Sequence, residues 1–223
     1  MTKMLFRTLG ASVAILFAAS ACSQQSDATP TVAADQTCLY DSAEAYENLT
    51  EKSYAADAQT LADLSAEAEK QAQACLANLN PSDADALSSR LDAVQAALRS
   101  DDRATVARNA VEAYRIFVTA ETREPNGVPL QVSLLDYAGF RMQADLQAAK
   151  PDWADVDTAL LFAEQQWSEI ETKIIDLGLR ESFAAELDHI RTAAGERNVS
   201  AAKEAVRTEL DQVDLLEQYF SQP

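Results

Sequence analysis

The residues best suited to chemistry lie in the stretch from Leu134 to Arg141, where polar side chains interrupt an apolar run. Tyr137 and Arg141 are four residues apart, so on a helix they share one face. Asp136 lies between apolar neighbours, where a buried carboxylate needs a partner. Such residues can line a small polar pocket for a ligand, or they can form an ion pair that fixes the fold. We favour the ion pair and keep the pocket as the alternative.

A second polar group precedes this stretch in the chain. Tyr114 and Arg115 lie in an apolar helical run, and they come close to the first group if the two helices pack together. Gly139 in the middle of a helix costs about 1 kcal/mol relative to Ala, a cost that a close approach between helices can offset. The candidate polar pocket predicted from the sequence therefore consists of Tyr114, Arg115, Asp136, Tyr137 and Arg141.

Other chemical motifs are scarce. The single histidine, His189, lies on a polar helix face, whereas zinc and copper sites usually recruit several His or Cys ligands. The sequence contains no CxxCH, no Gly-rich phosphate loop and no GxSxG motif. Asp152, Asp155 and Asp157 crowd the start of a predicted helix, where they complement its dipole. We predict no catalytic residue, no metal site and no cofactor, and we favour a protein that is not an enzyme.

The elements that position these residues are predicted to be helices. Hydrophobic residues make up 48% of the 223-residue chain, and its five Gly and six Pro leave long runs of helix-favouring residues. Apolar residues from Trp153 to Leu177 alternate at three- and four-residue spacing, the strongest helical periodicity in the sequence. The densest group of helix breakers, Pro125, Gly127 and Pro129, is expected to reverse the chain. The helices on either side of it should then pack antiparallel.

The two halves of the chain resemble each other. Similar helical runs recur at an offset of 96 residues, which becomes 95 in places, and the clearest match pairs Leu91–Val94 with Leu187–Ile190. Such self-similarity indicates that one structural unit occurs twice. We predict an all-α antiparallel helical bundle built from two similar four-helix units, at residues 38–120 and 132–220, joined by a loop at 121–131.

The N-terminus has the features of a targeting segment. Basic residues at its start precede an apolar run, Leu9 to Ala21, which is too short to span a bilayer comfortably. The run ends in Ala-Ser-Ala-Cys at residues 19–22, which resembles the lipobox of bacterial lipoproteins, although Ala19 stands where that family usually has Leu. The alternative is an ordinary secretory signal that is cut after Ala21.

The resemblance covers residues 1–23 only. It implies a signal peptide at 1–21 and a lipid on Cys22. Because Ser23 rather than Asp follows the cysteine, it also implies sorting to the outer membrane, with the protein facing the periplasm. Residues 22–37 have no apolar periodicity and are predicted to form a flexible tether.

The chain is strongly acidic, with a formal net charge of −18. Without Lys3 and Arg7 of the signal segment, 36 acidic residues face 16 basic ones, a net charge of −20. Such a surface repels nucleic acids and anionic lipid headgroups. We therefore expect no nucleic-acid partner, and we expect contact with the membrane through the lipid anchor.

Two cysteines remain once Cys22 is assigned to the lipid. An even remainder in an oxidising compartment favours a disulfide between Cys38 and Cys75. One continuous helix would hold the two residues about 55 Å apart, whereas a disulfide needs Cα atoms within roughly 7 Å. The predicted repeat places a turn before Tyr54, which brings Cys38 back to Cys75, so we favour the disulfide.

Two functions fit these observations. The first is a non-catalytic, lipid-anchored module that binds another envelope protein or a small ligand. The alternative is a protein that handles a metal or a small molecule, with a polar site at the junction between Asp136 and Arg141. No motif beyond residue 23 indicates a family.

Overall fold

The computed structural model describes residues 32–121 and 127–222, with side chains from Thr37 onward. Over these residues the chain forms eight α-helices and two short 3-10 turns, and no strand. The predicted all-α class is confirmed. The helices are α1 (Val32–Lys52), α2 (Ala58–Cys75), α3 (Pro81–Arg99), α4 (Arg103–Ala120), α5 (Leu130–Gln147), α6 (Trp153–Ile170), α7 (Leu177–Gly195) and α8 (Val199–Ser221).

Several expectations fall outside the described residues. The signal segment, Cys22 and most of the tether lie before residue 32, and the predicted turn at Pro125 and Asn126 lies within the gap at 122–126. Helix α1 begins at Val32, so its first turns occupy the end of the segment predicted to be a tether. None of the described helices combines the length and the apolar character needed to cross a membrane.

Short polar residues determine where most helices begin. At six helix starts an Asp or Asn side chain accepts a hydrogen bond from the backbone N–H three residues later, which satisfies a donor that the helix itself leaves unpaired. These N-caps are Asp57, Asn80, Asp102, Asp152, Asp176 and Asn198. Pro81 occupies the first position of α3, where its missing N–H costs nothing.

The disulfide joins the start of the helical region to the end of the second helix. Helix α1 ends at Lys52 and α2 begins at Ala58, so the chain turns back in the predicted interval. The Cα atoms of Cys38 and Cys75 lie 5.7 Å apart and the two residues form the predicted disulfide. The continuous helix that would have separated them does not form.

Helix packing follows the same pattern of neighbours in both halves of the described chain. Helix α1 packs against α2 and α4, and α4 packs against α3; likewise α5 packs against α6 and α8, and α8 packs against α7. Helices α4 and α5 pack against each other. Their contacts pair Arg108 with Asp145 and Tyr114 with Ser133, so α4 and α5 run in opposite directions.

The buried apolar residues form two clusters. One contains residues of α1 to α4 with part of α5, and the other contains residues of α5 to α8. Phe162 and Leu210 pack against both clusters. Tyr114, Phe117 and Phe140 are buried in the first cluster, where α4 meets α5.

Helices α5 and α8 approach each other closely at Gly139. A Cβ atom at this position would lie 2.6 Å from Leu210 Cδ2 and would also overlap the carboxylate of Glu209. A glycine in the middle of α5 is therefore explained by this contact. Glu209 is fully buried, and burial raises the pKa of its carboxyl group well above the ordinary value.

Candidate functional site

A cleft of about 670 Å³ lies where α3, α4, α5 and α6 meet. Small-molecule sites typically have volumes of roughly 300–1,000 Å³. We call it the arginine cleft, because four arginines contribute to its wall. Its lining consists of Arg90, Thr105, Arg108, Asn109, Val111, Glu112, Arg115, Tyr137, Arg141, Asp145, Asp152, Asp155 and Phe162.

Helix α4 forms the longest wall of the arginine cleft. Thr105, Arg108, Asn109, Glu112 and Arg115 follow one another at steps of three, one, three and three residues, which places them along one face of the helix. From the first to the last, this polar stripe extends for about 15 Å. The remaining face of α4 is apolar and packs into the core, which fixes the direction in which the stripe points.

Arg141 is held by groups on two helices. Its Nε donates a hydrogen bond to Asp155 Oδ2 at 2.8 Å, and its Nη2 bonds to the other oxygen of the same carboxylate. Its Nη1 donates to the Tyr137 hydroxyl at 3.1 Å. The hydrogen bonds to Asp155 raise the pKa of Arg141, and the bond from Arg141 lowers the pKa of Asp155. Both groups therefore stay charged, and the partner of Arg141 is a carboxylate of α6 rather than Asp136 of its own stretch.

Tyr137 connects the two sides of the arginine cleft. Its hydroxyl donates to Glu112 Oε1 at 2.7 Å. The guanidinium carbons of Arg115 and Arg141 lie 5.8 and 6.0 Å from the centre of its ring, and Phe162 meets the ring edge-on. Burial and the nearby Glu112 carboxylate raise the pKa of Tyr137 to about 12. The phenol therefore stays neutral and can donate its hydrogen bond to Glu112.

The other three arginines keep unused hydrogen-bond donors. Arg90 Nη1 donates to Asn109 Oδ1 at 3.3 Å, and among the described residues Arg90 forms no ion pair. Arg115 has a long 3.3 Å contact with Glu112. Arg108 Nε lies 2.9 Å from Asp145 Oδ1, and its two terminal nitrogens have no acceptor within the described part of the chain. These unused donors indicate a binding site for a ligand that supplies hydrogen-bond acceptors.

Asp145 makes the charge of the arginine cleft depend on pH. Burial raises the pKa of its carboxyl group to about 7, and the neighbouring Asp155 acts in the same direction, while Arg108 opposes the shift. The lining contains four arginines and four acidic residues, whereas the whole chain has twice as many acidic as basic residues. The cleft is therefore far less acidic than the rest of the protein, and it becomes positive when Asp145 is protonated.

The structure brings together three of the five residues of the predicted pocket. Arg115, Tyr137 and Arg141 all line the arginine cleft. Tyr114 and Asp136 are buried outside the cleft, and their side chains are hydrogen-bonded to each other. The Tyr114 hydroxyl also donates to the Ser133 carbonyl at 3.3 Å. Adjacent positions on a helix point about 100° apart, which is why the predicted group divides into two places.

Asp136 belongs to a second group of carboxyls, which we call the acidic seam. It consists of Glu47 on α1, Asp136 on α5, and Asp214 and Glu217 on α8. Burial raises the pKa of Glu47 to about 7 and that of Asp136 well above its ordinary value, and it also raises the pKa values of Asp214 and Glu217. The charged groups that perturb these carboxyls are other acids, so their repulsion adds to the effect of burial.

Several residues of the arginine cleft were not identified from the sequence. The sequence explains Asp155 by the helix dipole alone, whereas in the structure its carboxylate binds Arg141. The site predicted from the sequence does not include Arg90, Arg108 or Asn109. The polar stripe on α4 was the signal that could have indicated the last two.

His189 is 68% exposed, with its Nδ1 3.2 Å from Glu186. Among the described residues, no group of three or more His, Cys, Asp or Glu side chains is arranged to hold a metal ion.

No family model matches the chain, no curated protein matches it, and no solved structure matches it. Function is therefore inferred from the geometry of the arginine cleft.

Proposed function

We propose that the protein is a non-catalytic, lipid-anchored module of the cell envelope that binds a small ligand in the arginine cleft. The observation that carries the proposal is the cleft itself, whose lining includes Arg90, Arg108 and Arg115, each with hydrogen-bond donors that the protein leaves unused. Arg141 and Tyr137 are already fixed by their own hydrogen bonds. A site that is organised before the ligand arrives loses less entropy when the ligand binds.

The shape of the site favours a small ligand over a protein partner. Concave sites with a few polar groups and an apolar wall are typical of small-molecule binding. The arginine cleft has this composition, since Val111 and Phe162 contribute apolar surface between the arginines. A protein surface would bring only one projecting side chain into such a cleft. Of the two partners considered from the sequence, we therefore propose the small molecule.

We propose that Cys22 carries the lipid and that the helical region faces the periplasm from the outer membrane. The lipobox resemblance of residues 19–22 supports the anchor. The Cys38–Cys75 disulfide supports an oxidising compartment, because such bonds persist outside the cytoplasm. In this arrangement the acidic surface keeps the helical region away from anionic headgroups.

The anchor has a direct test. Cys22→Ala should move the protein from the membrane fraction to the soluble fraction, or block its processing, because the lipid is attached to this thiol. Fractionation of cells that express each form measures the change. The same distribution for both forms, together with an unmodified mass for the wild-type protein, would contradict the proposed anchor.

We further propose that the helical region consists of two copies of one four-helix unit. Helices α6, α7 and α8 begin 95, 96 and 96 residues after α2, α3 and α4, which are the offsets seen in the sequence. The turns before α4 and α8 are also alike, since Asp101 and Arg197 both have φ of 54° and directly precede an N-cap. The arginine cleft lies where α4 meets α5, between the proposed copies.

The binding function can be tested by filling the cleft. Asn109→Trp places a large side chain in the arginine cleft, and Asn48→Trp makes the same exchange at an exposed position of α1. In a thermal-shift screen of small polar molecules, ligands should stabilise the wild-type protein and the Asn48→Trp variant but not the Asn109→Trp variant. Circular dichroism of both variants without ligand confirms that they fold.

The screen also has outcomes that contradict the proposal. Equal stabilisation of the two variants by the same compounds would place binding outside the cleft. If no compound stabilises the wild-type protein, the cleft is not a small-molecule site.

A further inference from the structure

We infer that the ligand of the arginine cleft is a small organic carboxylate, an acid group joined to an apolar body. This inference rests on the proposed function and specifies its ligand class. The recognising groups are the guanidinium groups of Arg90, Arg108 and Arg115, and the apolar body packs against Phe162 and Val111.

The type of basic residue favours a carboxylate. All basic residues in the lining are arginines, and none is lysine. A guanidinium group is planar and presents parallel N–H donors that match the two oxygens of a carboxylate. The protein already shows this pairing in the cleft, where Arg141 binds both oxygens of Asp155. A ligand carboxylate would make the same kind of contact with arginines whose donors are unused.

The acidic residues of the lining are already engaged. Asp155 holds Arg141, and Asp152 accepts a hydrogen bond from the Asp155 N–H as the N-cap of α6. Glu112 accepts from the Tyr137 hydroxyl, and Asp145 is buried beside Arg108. Asp145 Oδ2 has no hydrogen-bond partner, but this residue is buried and is not presented to a ligand, whereas the guanidinium groups keep donors for an anionic one. The cleft therefore selects negative charge despite its equal numbers of acidic and basic residues.

The rest of the molecule limits the size of the anion. The chain has a formal net charge of −18, which repels an extended polyanion over long distances. A small acid with one or two charges experiences mainly the local field of the cleft, because salt screens the more distant charges. Arg108 and Arg115 are seven residues apart on α4, which is about 10 Å along the helix axis. A monocarboxylate can engage either end of this pair.

The apolar wall indicates an organic acid rather than an inorganic anion. Phe162 and Val111 line the cleft together with the ring of Tyr137. An inorganic anion would pair with the arginines but would leave this wall in contact with water. An aliphatic or aromatic group on the acid removes the apolar surface from water and adds affinity in proportion to the area covered.

Isothermal titration calorimetry of the full chain at pH 7 tests the ligand class with defined probes. The acids are phenylacetate, hexanoate and succinate; the controls are phenylacetamide, hexanamide, succinamide, inorganic phosphate and benzamidine. At least one acid should bind ten or more times as tightly as its own amide, because only the acid makes charge-assisted hydrogen bonds. It should also bind more tightly than phosphate or benzamidine.

Arginine variants locate the interaction. Arg90→Gln and Arg115→Gln should each weaken binding of the tightest acid at least fivefold. Arg207→Gln removes the same charge from an exposed position on α8 and should leave the affinity within twofold. Each variant should also have the same heat-denaturation profile as the wild-type protein. This control shows that weaker binding does not result from unfolding.

The outcomes separate this inference from the proposed function. If amides or benzamidine bind as well as the acids, the carboxylate assignment is wrong, and a loss of binding in Asn109→Trp would still support a ligand site. If phosphate binds most tightly, the ligand is not an organic acid. If no acid binds more tightly than its amide, or if Arg207→Gln has the same effect as the cleft variants, the inference is overturned. If Asn109→Trp leaves the binding of every probe unchanged, the proposed function fails as well.

Discussion

The arginine cleft and the acidic seam lie on different faces of α5, and their buried carboxyl groups are stabilised in different ways. Each gathers carboxyl groups that are partly or fully withdrawn from water. In the cleft, Asp155 is neutralised by Arg141, and Asp145 lies beside Arg108. In the seam, burial and mutual repulsion raise the pKa values of Glu47 and Asp136, so both groups favour the protonated form more than an exposed carboxyl does.

The difference bears on function. The Arg141–Asp155 pair stays charged across the physiological pH range, and the arginines that keep unused donors attract a charged ligand. Protonated carboxyls instead stabilise the fold only while they keep their protons. We therefore propose the arginine cleft as the ligand site, and we expect the acidic seam, together with Asp145, to make stability depend on pH.

Loss of the central ion pair should have the largest effect. Arg141→Met leaves Asp155 without its main partner and should lower the free energy of unfolding by about 2–3 kcal/mol. This is less than for a fully buried pair, because the two side chains are 24% and 32% exposed. The double variant Arg141→Met/Asp155→Asn should recover much of the loss, and urea denaturation measures it. Wild-type stability in Arg141→Met would show that the pair contributes little.

The same chemical exchange should act differently in the two regions. Asp155→Asn removes a charge that Arg141 needs and should cost about 1–2 kcal/mol. Burial and the surrounding acids oppose ionisation of Asp136, so Asp136→Asn should change stability by less than about 0.5 kcal/mol at pH 7. Urea denaturation of both variants in one buffer makes the comparison. Equal losses would mean that Asp136 is ionised in the folded protein, and the distinction between the regions would fail.

The acidic seam should make the protein more stable at mildly acidic pH. The folded protein holds the pKa of Glu47 at about 7, above the value of 4.5 for the unfolded chain. Its contribution is complete below pH 4.5 and is lost as pH rises through 7. The melting temperature should fall between pH 5.5 and pH 8, by about 2–4 °C for each kcal/mol lost.

A variant within the seam provides the control for this pH dependence. Glu47→Gln cannot ionise, so its melting temperature should fall less over the same range, whereas the exposed Asp41→Asn should follow the wild-type protein. A wild-type melting temperature that rises from pH 5.5 to pH 8 would contradict the direction of the shift.

Local signals made much of the fold predictable. Asn80 followed by Pro81 predicted the start of α3, and the repeat offset predicted the turn that brings Cys38 to Cys75. Caps and turns act over a few residues, and the helix class follows from periodicity, so one sequence contains enough information for both.

The arginine cleft was only partly predictable, because its contacts cross between helices. Arg141 meets Asp155 fourteen residues away, and Arg90 meets Asn109 across nineteen. Asp155 already had a sufficient local explanation at the start of a helix. Tyr114 and Asp136 were grouped with the cleft by sequence proximity, although helix geometry places them on another face.

The most direct test of the central claim is a crystal structure of the protein grown with the tightest-binding carboxylate. The predicted result is ligand density in the arginine cleft, with carboxylate oxygens within hydrogen-bond distance of at least two of Arg90, Arg108 and Arg115, and with the apolar body against Phe162. Density for the acid only at other positions, with the cleft occupied by solvent alone, would contradict the assignment of the arginine cleft as the binding site.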